Sequence, residues 1–384
     1  MRTWPLAHRY GAAMATGFVP PTYPFDRLAP LAAVAAATEG GIVDLSIGTP
    51  GDPPPAAVVE ALASSGAERG YPPSIGSGPL REAAAAWLDR RLGVEVAPSA
   101  VAACIGTKEL VAGLPHWLKL RTPDRDTVLY PAVSYPSYEM GAILAGCRAV
   151  PVPVDEAWRL DVSAIDPADA ARALCLWSNT PGNPAGGLDD LEAVASWGRA
   201  NGVPVLSDEC YVEFTWDGPR RSVLQTGADG MLAVHSLSKR SSLAGVRVGF
   251  YAGDQELVTY LSELRKHAGF MVPGPAQHAG AVALGDDAHV EEQAARYLRR
   301  LRRMAEVLSV AYDLDVALPG GGLYLWVPAP GGDAWGLVER LAKDAGCLAS
   351  PGEFYGPAAA GHVRLAMVVP DDRIELVASR LGVG

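Results

Sequence analysis

The sequence predicts an α/β protein with a largely parallel sheet in a large domain, followed by a smaller α+β unit. Three observations carry that expectation. Between residues 127 and 250, apolar runs of strand length alternate with helical or turn segments, as βαβ units do. Polar residues gather where those runs end, the place where an open α/β sheet presents ligand groups. Beyond Gly280 the character changes to one long helical stripe with a few short strands.

Taken in order, the opening stretch to Thr38 contains Val19, two prolines, Tyr23, Pro24 and Phe25. Proline fixes such a segment as extended, an arm laid over another surface. Residues 42–48 read as a short strand, and Gly48 at its end serves either close backbone approach to a ligand or a turn. A loop around Tyr71, Pro72 and Pro73 precedes a helix with Leu80, Ala84, Trp87 and Leu88 on one face. Residues 101–105 read as a strand, after which Gly106, Thr107 and Lys108 open a helix striped by Leu110, Leu114 and Leu118. A glycine turn at a helix start offers unpaired N–H groups to an anion, and is equally an ordinary cap. Further strands are expected at 127–130, 149–152, 173–177, 203–207, 231–234 and 246–251, with one intervening helix marked by Leu191, Val194 and Ala195. The last third carries a stripe of Val290, Ala294, Tyr297, Leu301, Ala305 and Leu308, short apolar runs at 323–327 and 363–368, and a final helix with Ile374, Val377 and Leu381. The expected division is an N-terminal arm with part of the small domain (1–48), a large domain (49–284) and a small C-terminal domain (285–384).

Bulk composition excludes several classes. A chain of 384 residues, 49% hydrophobic and 20% charged, can bury a large core and divide into two domains. A net charge of −11 argues against a nucleic-acid or anionic-membrane surface, so any anionic ligand must be gathered by local cations. Five scattered cysteines without a Cys-x-x-Cys pair read as reduced thiols of a cytoplasmic protein, with no disulfide frame and no metal site. No apolar run reaches the length of a membrane span. Residues 1–16, with Arg2 and Arg9 and no acid, read as a disordered arm or an overlong start rather than a signal peptide.

The chemistry centres on Ser236-Leu237-Ser238-Lys239, which follows the apolar run 231–234, and on Arg247, eight positions after the lysine. Alone, Lys239 reads as a solvated loop lysine and Arg247 as an ion-pair partner. Together, an amine, two hydroxyls and a guanidinium suit a phosphorylated carbonyl cofactor: the amine forms a Schiff base, and the others hold the phosphate along with the amides of Gly106, Thr107 and Lys108. If the cofactor is a pyridine ring, its nitrogen needs a carboxylate to stay protonated, and Asp208 stands at a strand end. Tyr211 and Asn183 can serve the ring oxygen, and Tyr135 can cover the ring face. Each has a plain structural alternative: Asp208 a helix cap, Tyr135 core packing, Asn183 a turn residue. Their common position at strand ends makes coincidence a poor account.

With these residues placed, the chain from about Val19 onward resembles the fold-type I, class I/II aminotransferases that use pyridoxal 5′-phosphate. Asn179, Pro181, Asn183, Pro184 and Gly186 resemble the family's Asn-Pro-x-Asn-Pro-Thr-Gly, with Ala185 for Thr and Thr180 inserted. Asp208, Glu209 and Tyr211 resemble its Asp-Glu-x-Tyr, and Ser236, Ser238, Lys239 and Arg247 its lysine motif. The resemblance implies a mainly parallel seven-stranded sheet in the large domain. It implies that Arg364, with Asn183, grips the substrate α-carboxylate, that Tyr71 crosses a homodimer interface to the neighbouring phosphate, and that Tyr135 stacks on the ring. Several stretches, among them Tyr23 to Pro30 and Ile105 to Val111, are similar to the actinobacterial N-succinyldiaminopimelate aminotransferases. That implies transamination between glutamate/2-oxoglutarate and N-succinyl-LL-2,6-diaminopimelate in lysine biosynthesis. Another aminotransferase or a C–S β-lyase would use the same cofactor residues. A regulatory cofactor-binding module would need a basic DNA-binding segment, which the chain does not show. For a second substrate carboxylate, Arg27, Arg240 and Lys266 are the candidate cations.

Overall fold

The computed structural model describes residues 17–384; the expectation for residues 1–16 lies outside the described residues. After the two-residue strand β1 (Val43–Asp44) come β2 (Val101–Cys104), β3 (Thr127–Pro131), β4 (Arg148–Val152), β5 (Ala173–Asn179), β6 (Val205–Asp208), β7 (Met231–Ser236) and β8 (Gly249–Gly253). The last seven form one sheet in the order β2-β8-β7-β6-β5-β3-β4. Only β8 runs against its neighbours, β2 and β7, so the other six point the same way.

Apart from the edge strand β4, these strands are buried on both faces, which is why they read as continuous apolar runs rather than alternating ones. Within each, successive side chains still divide between the faces. Val101, Ala103, Leu176 and Ala233 join one core, with the helices Gly78–Leu92, Leu191–Asn201 and Gly274–Gly285. Ala102, Cys104, Trp177, Leu232 and Val234 join the other, with the helices Thr107–Arg121, Ser137–Leu144 and Gln255–His267. The result is three layers, helix on sheet on helix. At roughly 25 cal/mol per Å² of apolar surface buried, it is this double coverage that holds the sheet.

A second body is built from β9 (Tyr324–Pro328), β10 (Cys347–Leu348), β11 (Ser350–Pro351) and β12 (His362–Ala366). β9, β12 and β11 form an antiparallel sheet, and β10 pairs in parallel with β1. The helices Ala288–Tyr312, Ala334–Ala345 and Asp371–Arg380 pack on them. Leu28, Val43 and Leu45 from the start of the chain share this core.

Three sequence expectations are corrected. The strand expected at 246–251 begins only at Gly249, because Ala244–Val246 is a 3-10 turn and Arg247 takes a left-handed conformation with φ 58°. The connection from Ser236 holds only the four-residue helix Leu237–Arg240 and this 3-10 turn, with no crossover helix, and the chain turns back with Ser236 opposite Gly249. Of the strand expected at 42–48, only Val43–Asp44 pairs. The strand expected at 203–207 runs instead over Val205–Asp208, because Gly202 caps the preceding helix in the left-handed region.

Candidate active site

The C-terminal ends of β5, β6 and β7 open into a cavity of about 250 Å³ between the two bodies. Lys239, Asp208, Asn183, Tyr211, Ser236, Ser238, Arg247, Thr107, Lys108, Tyr135, Gly48 and Arg364 all line it. The parallel strands dictate this convergence, since residues following each of them emerge on one edge.

One side is shaped for an anion. Gly106, at φ 68°, precedes the helix Thr107–Arg121, whose first amides face this side. A Cβ on Gly106 would overlap the Arg247 guanidinium, so only glycine lets the two meet. Arg247 is steadied by donating Nη1 to the Ala244 carbonyl at 2.8 Å. The Ser236 hydroxyl accepts from the Ser238 amide at 3.1 Å, which holds both serines at the end of β7.

Deeper in, Asp208 accepts from the Tyr138 hydroxyl at 2.9 Å and from the Cys210 amide at 3.2 Å. Burial nonetheless pushes its carboxyl above the usual range, against the lowering effect of these donors. A carboxylate in that state gains from a protonated ring nitrogen. Asn179 ties the neighbouring turns together: its Nδ2 donates to the Asp208 carbonyl at 2.9 Å, and its Oδ1 accepts from the Asn183 amide at 2.8 Å. Lys239 donates from Nζ to the Gly48 carbonyl. Burial lowers its amine to about 8, assisted by the positive charges of Arg364 and Arg247. Gly48 has no positive φ; its missing Cβ instead leaves room for the Tyr324 hydroxyl. What the glycine admits here is the Tyr324 side chain, and its backbone is not that of a left-handed turn.

Opposite stands Arg364, 2% exposed. It donates from Nη1 to Asn183 Oδ1 at 2.8 Å and from Nη2 to the Ser46 carbonyl. Its guanidinium lies 4.3 Å from the Tyr324 ring centre and 4.8 Å from that of Tyr355. Among the described residues no carboxylate pairs with it. At the rim, Lys108 Nζ donates to the hydroxyls of Tyr23, at 3.1 Å, and Tyr135, at 3.2 Å.

Tyr71 is not brought to this cavity: it is 97% exposed on its own loop. The three candidates for a distal cation are not there either. Arg27 pairs with Glu353 at 2.7 Å, Arg240 is buried beside Trp87, and Lys266 lies on the outside of its helix with Glu263. The lysine at the rim is instead Lys108, a residue the sequence reading used only for its backbone amide. Tyr138, Tyr324, Tyr23 and Phe25 were also missed as site residues. Tyr138, three positions after Tyr135, carried a spacing signal across a helix start. Tyr324 carried none, since it reads as one apolar residue of a strand.

The donor set fits pyridoxal 5′-phosphate: a glycine-floored anion cup, a buried carboxylate for the ring nitrogen, and an amine for the carbonyl. Comparison with known proteins agrees. The family model for aminotransferase class I and II matches residues 41–381. The 4-dedimethylamino-4-oxo-anhydrotetracycline transaminase OxyQ of Streptomyces rimosus is 43% identical, over 94% of this chain and 99% of its own. The probable aminotransferase Rv1178 of Mycobacterium tuberculosis is also 43% identical, over 97% of this chain and 88% of its own. A solved probable N-succinyldiaminopimelate aminotransferase from Thermus thermophilus superposes with a TM-score of 0.82 at 32% identity, covering 93% of this chain and 98% of its own. The chain belongs to the class I and II aminotransferases, enzymes of fold type I that depend on pyridoxal 5′-phosphate and move an amino group between an amino acid and a 2-oxo acid.

Proposed function

We propose that this aminotransferase takes glutamate and 2-oxoglutarate as one substrate pair, and that N-succinyl-LL-2,6-diaminopimelate is the amino acid of the other. The observation that carries the reading is a cavity with a cation at each end, Arg364 buried within and Lys108 at the rim. A buried guanidinium without a carboxylate partner is costly, and an α-carboxylate offsets that cost through two parallel N–H donors. A second carboxylate then meets Lys108. Similarity to the Thermus enzyme supports the succinylated partner. The likeness to OxyQ supports a second reading, an aromatic polycyclic ketone as acceptor, with Tyr23, Phe25 and Tyr135 lining the cavity.

Bound pyridoxal 5′-phosphate supplies a protonated ring that draws electrons from the substrate Cα. The chain's own residues do the rest. Asp208, held by Tyr138, keeps the proton on the ring nitrogen. Arg364 and Asn183 orient the α-carboxylate, which fixes the direction of the Cα–H bond. Lys239 Nζ, neutral above about pH 8, would accept that proton as it leaves Cα and hold it beside the reacting atoms. The proposal extends to a homodimer, in which the exposed Tyr71 reaches the neighbouring subunit's phosphate cup, and to a cytoplasmic setting, to which five unpaired cysteines point.

The Lys239 amine sets a pH dependence. Its neutral fraction rises with pH and levels once the pH passes about 8. The rate at which the cofactor-free protein captures added pyridoxal 5′-phosphate should therefore climb about tenfold per unit below that point and flatten above it. Stopped-flow absorbance reads this directly, and a rate independent of pH from about 6 to 9 would contradict it.

The substrate reading is tested first with glutamate alone, which should bleach the visible band of the loaded enzyme. N-Succinyldiaminopimelate and OxyQ's own ketone are then compared by kcat/KM, and the better one decides between the two partners. Lys108→Met should raise KM for glutamate about 10- to 100-fold while sparing alanine. Equal losses on glutamate and alanine would remove Lys108 from the distal site.

A further inference from the structure

Tyr324 stands on β9 of the small body, yet its hydroxyl lies 2.8 Å from that of Tyr211, which follows β6 of the large one. The two rings meet edge to face, 5.6 Å apart at 76°. In the β9–β12 ladder Tyr324 is opposite Ala366, so it shares a sheet face with Arg364 two residues away, and its ring supports that guanidinium at 4.3 Å. Tyr324 is 3% exposed and lines the cavity. The missing Cβ of Gly48, whose carbonyl holds Lys239, makes room for its hydroxyl.

We propose that Tyr324 is a positioning residue that sets the Tyr211 hydroxyl and the Arg364 guanidinium together, so that one side chain aligns the cofactor side of the site with the carboxylate side. The inference rests on the reading that Tyr211 serves the cofactor's ring oxygen and Arg364 the substrate α-carboxylate. A hydroxyl has one hydrogen to give. If Tyr211 spends it on Tyr324, it has none for the ring oxygen; if Tyr324 donates, the Tyr211 hydrogen is free to point into the cavity. Burial pushes both hydroxyls up and keeps both neutral. The groups bearing on Tyr324 are Arg364, Tyr211, Cys210 and Asp208, of which Arg364 is the cation and makes Tyr324 the more acidic of the pair. A cation against the Tyr324 ring favours its hydroxyl as the donor, so the proposed bond runs from Tyr324 to Tyr211. Arg364 thereby selects the direction in which Tyr211 points.

The test is the pH midpoint of the visible absorbance of the loaded enzyme, measured for Tyr324→Phe, Tyr211→Phe and the double variant. Tyr324→Phe removes the hydrogen bond that Tyr211 accepts, and with it the polarisation that strengthens Tyr211 as a donor; a weaker donor at the ring oxygen leaves that oxygen more basic and the neighbouring imine proton more firmly held. Tyr324→Phe should thus move the midpoint upward by about 0.5 to 1 unit, and Tyr211→Phe by more. The double variant should match Tyr211→Phe alone, since Tyr324 acts through Tyr211. Tyr324→Leu, which also removes the ring beneath Arg364, should raise the substrate KM several-fold beyond Tyr324→Phe. If Tyr211→Phe shifts the midpoint and Tyr324→Phe does not, or if the two shifts add, the role given to Tyr324 falls and that of Tyr211 stands. If Tyr211→Phe leaves the midpoint in place, the reading of Tyr211 fails and takes the inference with it.

Discussion

Lys239→Ala should abolish transamination, with kcat falling by on the order of 10⁴ or more. Lys239 is the one amine that lines the cavity below the rim, and no other described lysine can substitute for it. Its Nζ is held by the Gly48 carbonyl and lowered to about 8 by burial and by Arg364 and Arg247. Both roles proposed for it, capture of the cofactor and transfer of the Cα proton, need that neutral nitrogen. The loss is chemical and not a failure to fold. A lysine whose folded pKa is depressed weakens the fold; the penalty is full below about 8 and fades as pH rises toward the ordinary value of 10.5. The cofactor-free alanine variant should therefore melt no lower than the parent at neutral pH. Added methylamine should restore part of the proton-transfer rate if the nitrogen acts as a base. Steady-state turnover within tenfold of the parent would refute the assignment.

Arg364→Ala should lower kcat/KM for amino acids by about 10²- to 10³-fold, mostly through KM. The side chain is 2% exposed, its two Nη atoms are committed to Asn183 and Ser46, and aromatic rings flank it on two sides. That packing presents a fixed fork, which suits a carboxylate in two-point contact. Arg364→Lys should recover little, because an ammonium cannot reproduce the fork or the stacking. A plain alkylamine, lacking the carboxylate, should react equally with parent and variant. An unchanged KM for glutamate in Arg364→Ala would show that the carboxylate binds elsewhere.

Much of this site was legible before any coordinates, and the reason is geometric. In a parallel sheet, residues just past successive strands must share one edge, so Asn183, Asp208, Tyr211, Ser236 and Lys239 could be grouped from strand ends alone. Gly106 and Arg247 were readable as an anion cup, although only the structure shows that the glycine is required because a Cβ would meet the guanidinium. The direction of β8 was not legible. An apolar run looks the same whichever way it points, and here the connection carrying Lys239 and Arg247 forms no crossover helix and turns back.

The sequence by itself determined the strand–helix alternation and grouped Asp208, Lys239 and Arg247 at strand ends, through local residue type and spacing; Arg364 entered only through the resemblance to the aminotransferases. Tertiary structure alone decided which residues from distant parts of the chain complete the site. Tyr23 reaches Lys108 and Tyr135 across the mouth of the cavity, Tyr138 reaches Asp208 from a neighbouring helix, and Tyr324 reaches Tyr211 from the other body. Tyr23 lies on the proline-fixed arm, whereas the rings of Tyr138 and Tyr324 are buried. Burial of the ring fixes such a residue in its own element, and only the packing of that element against another determines what the hydroxyl finds.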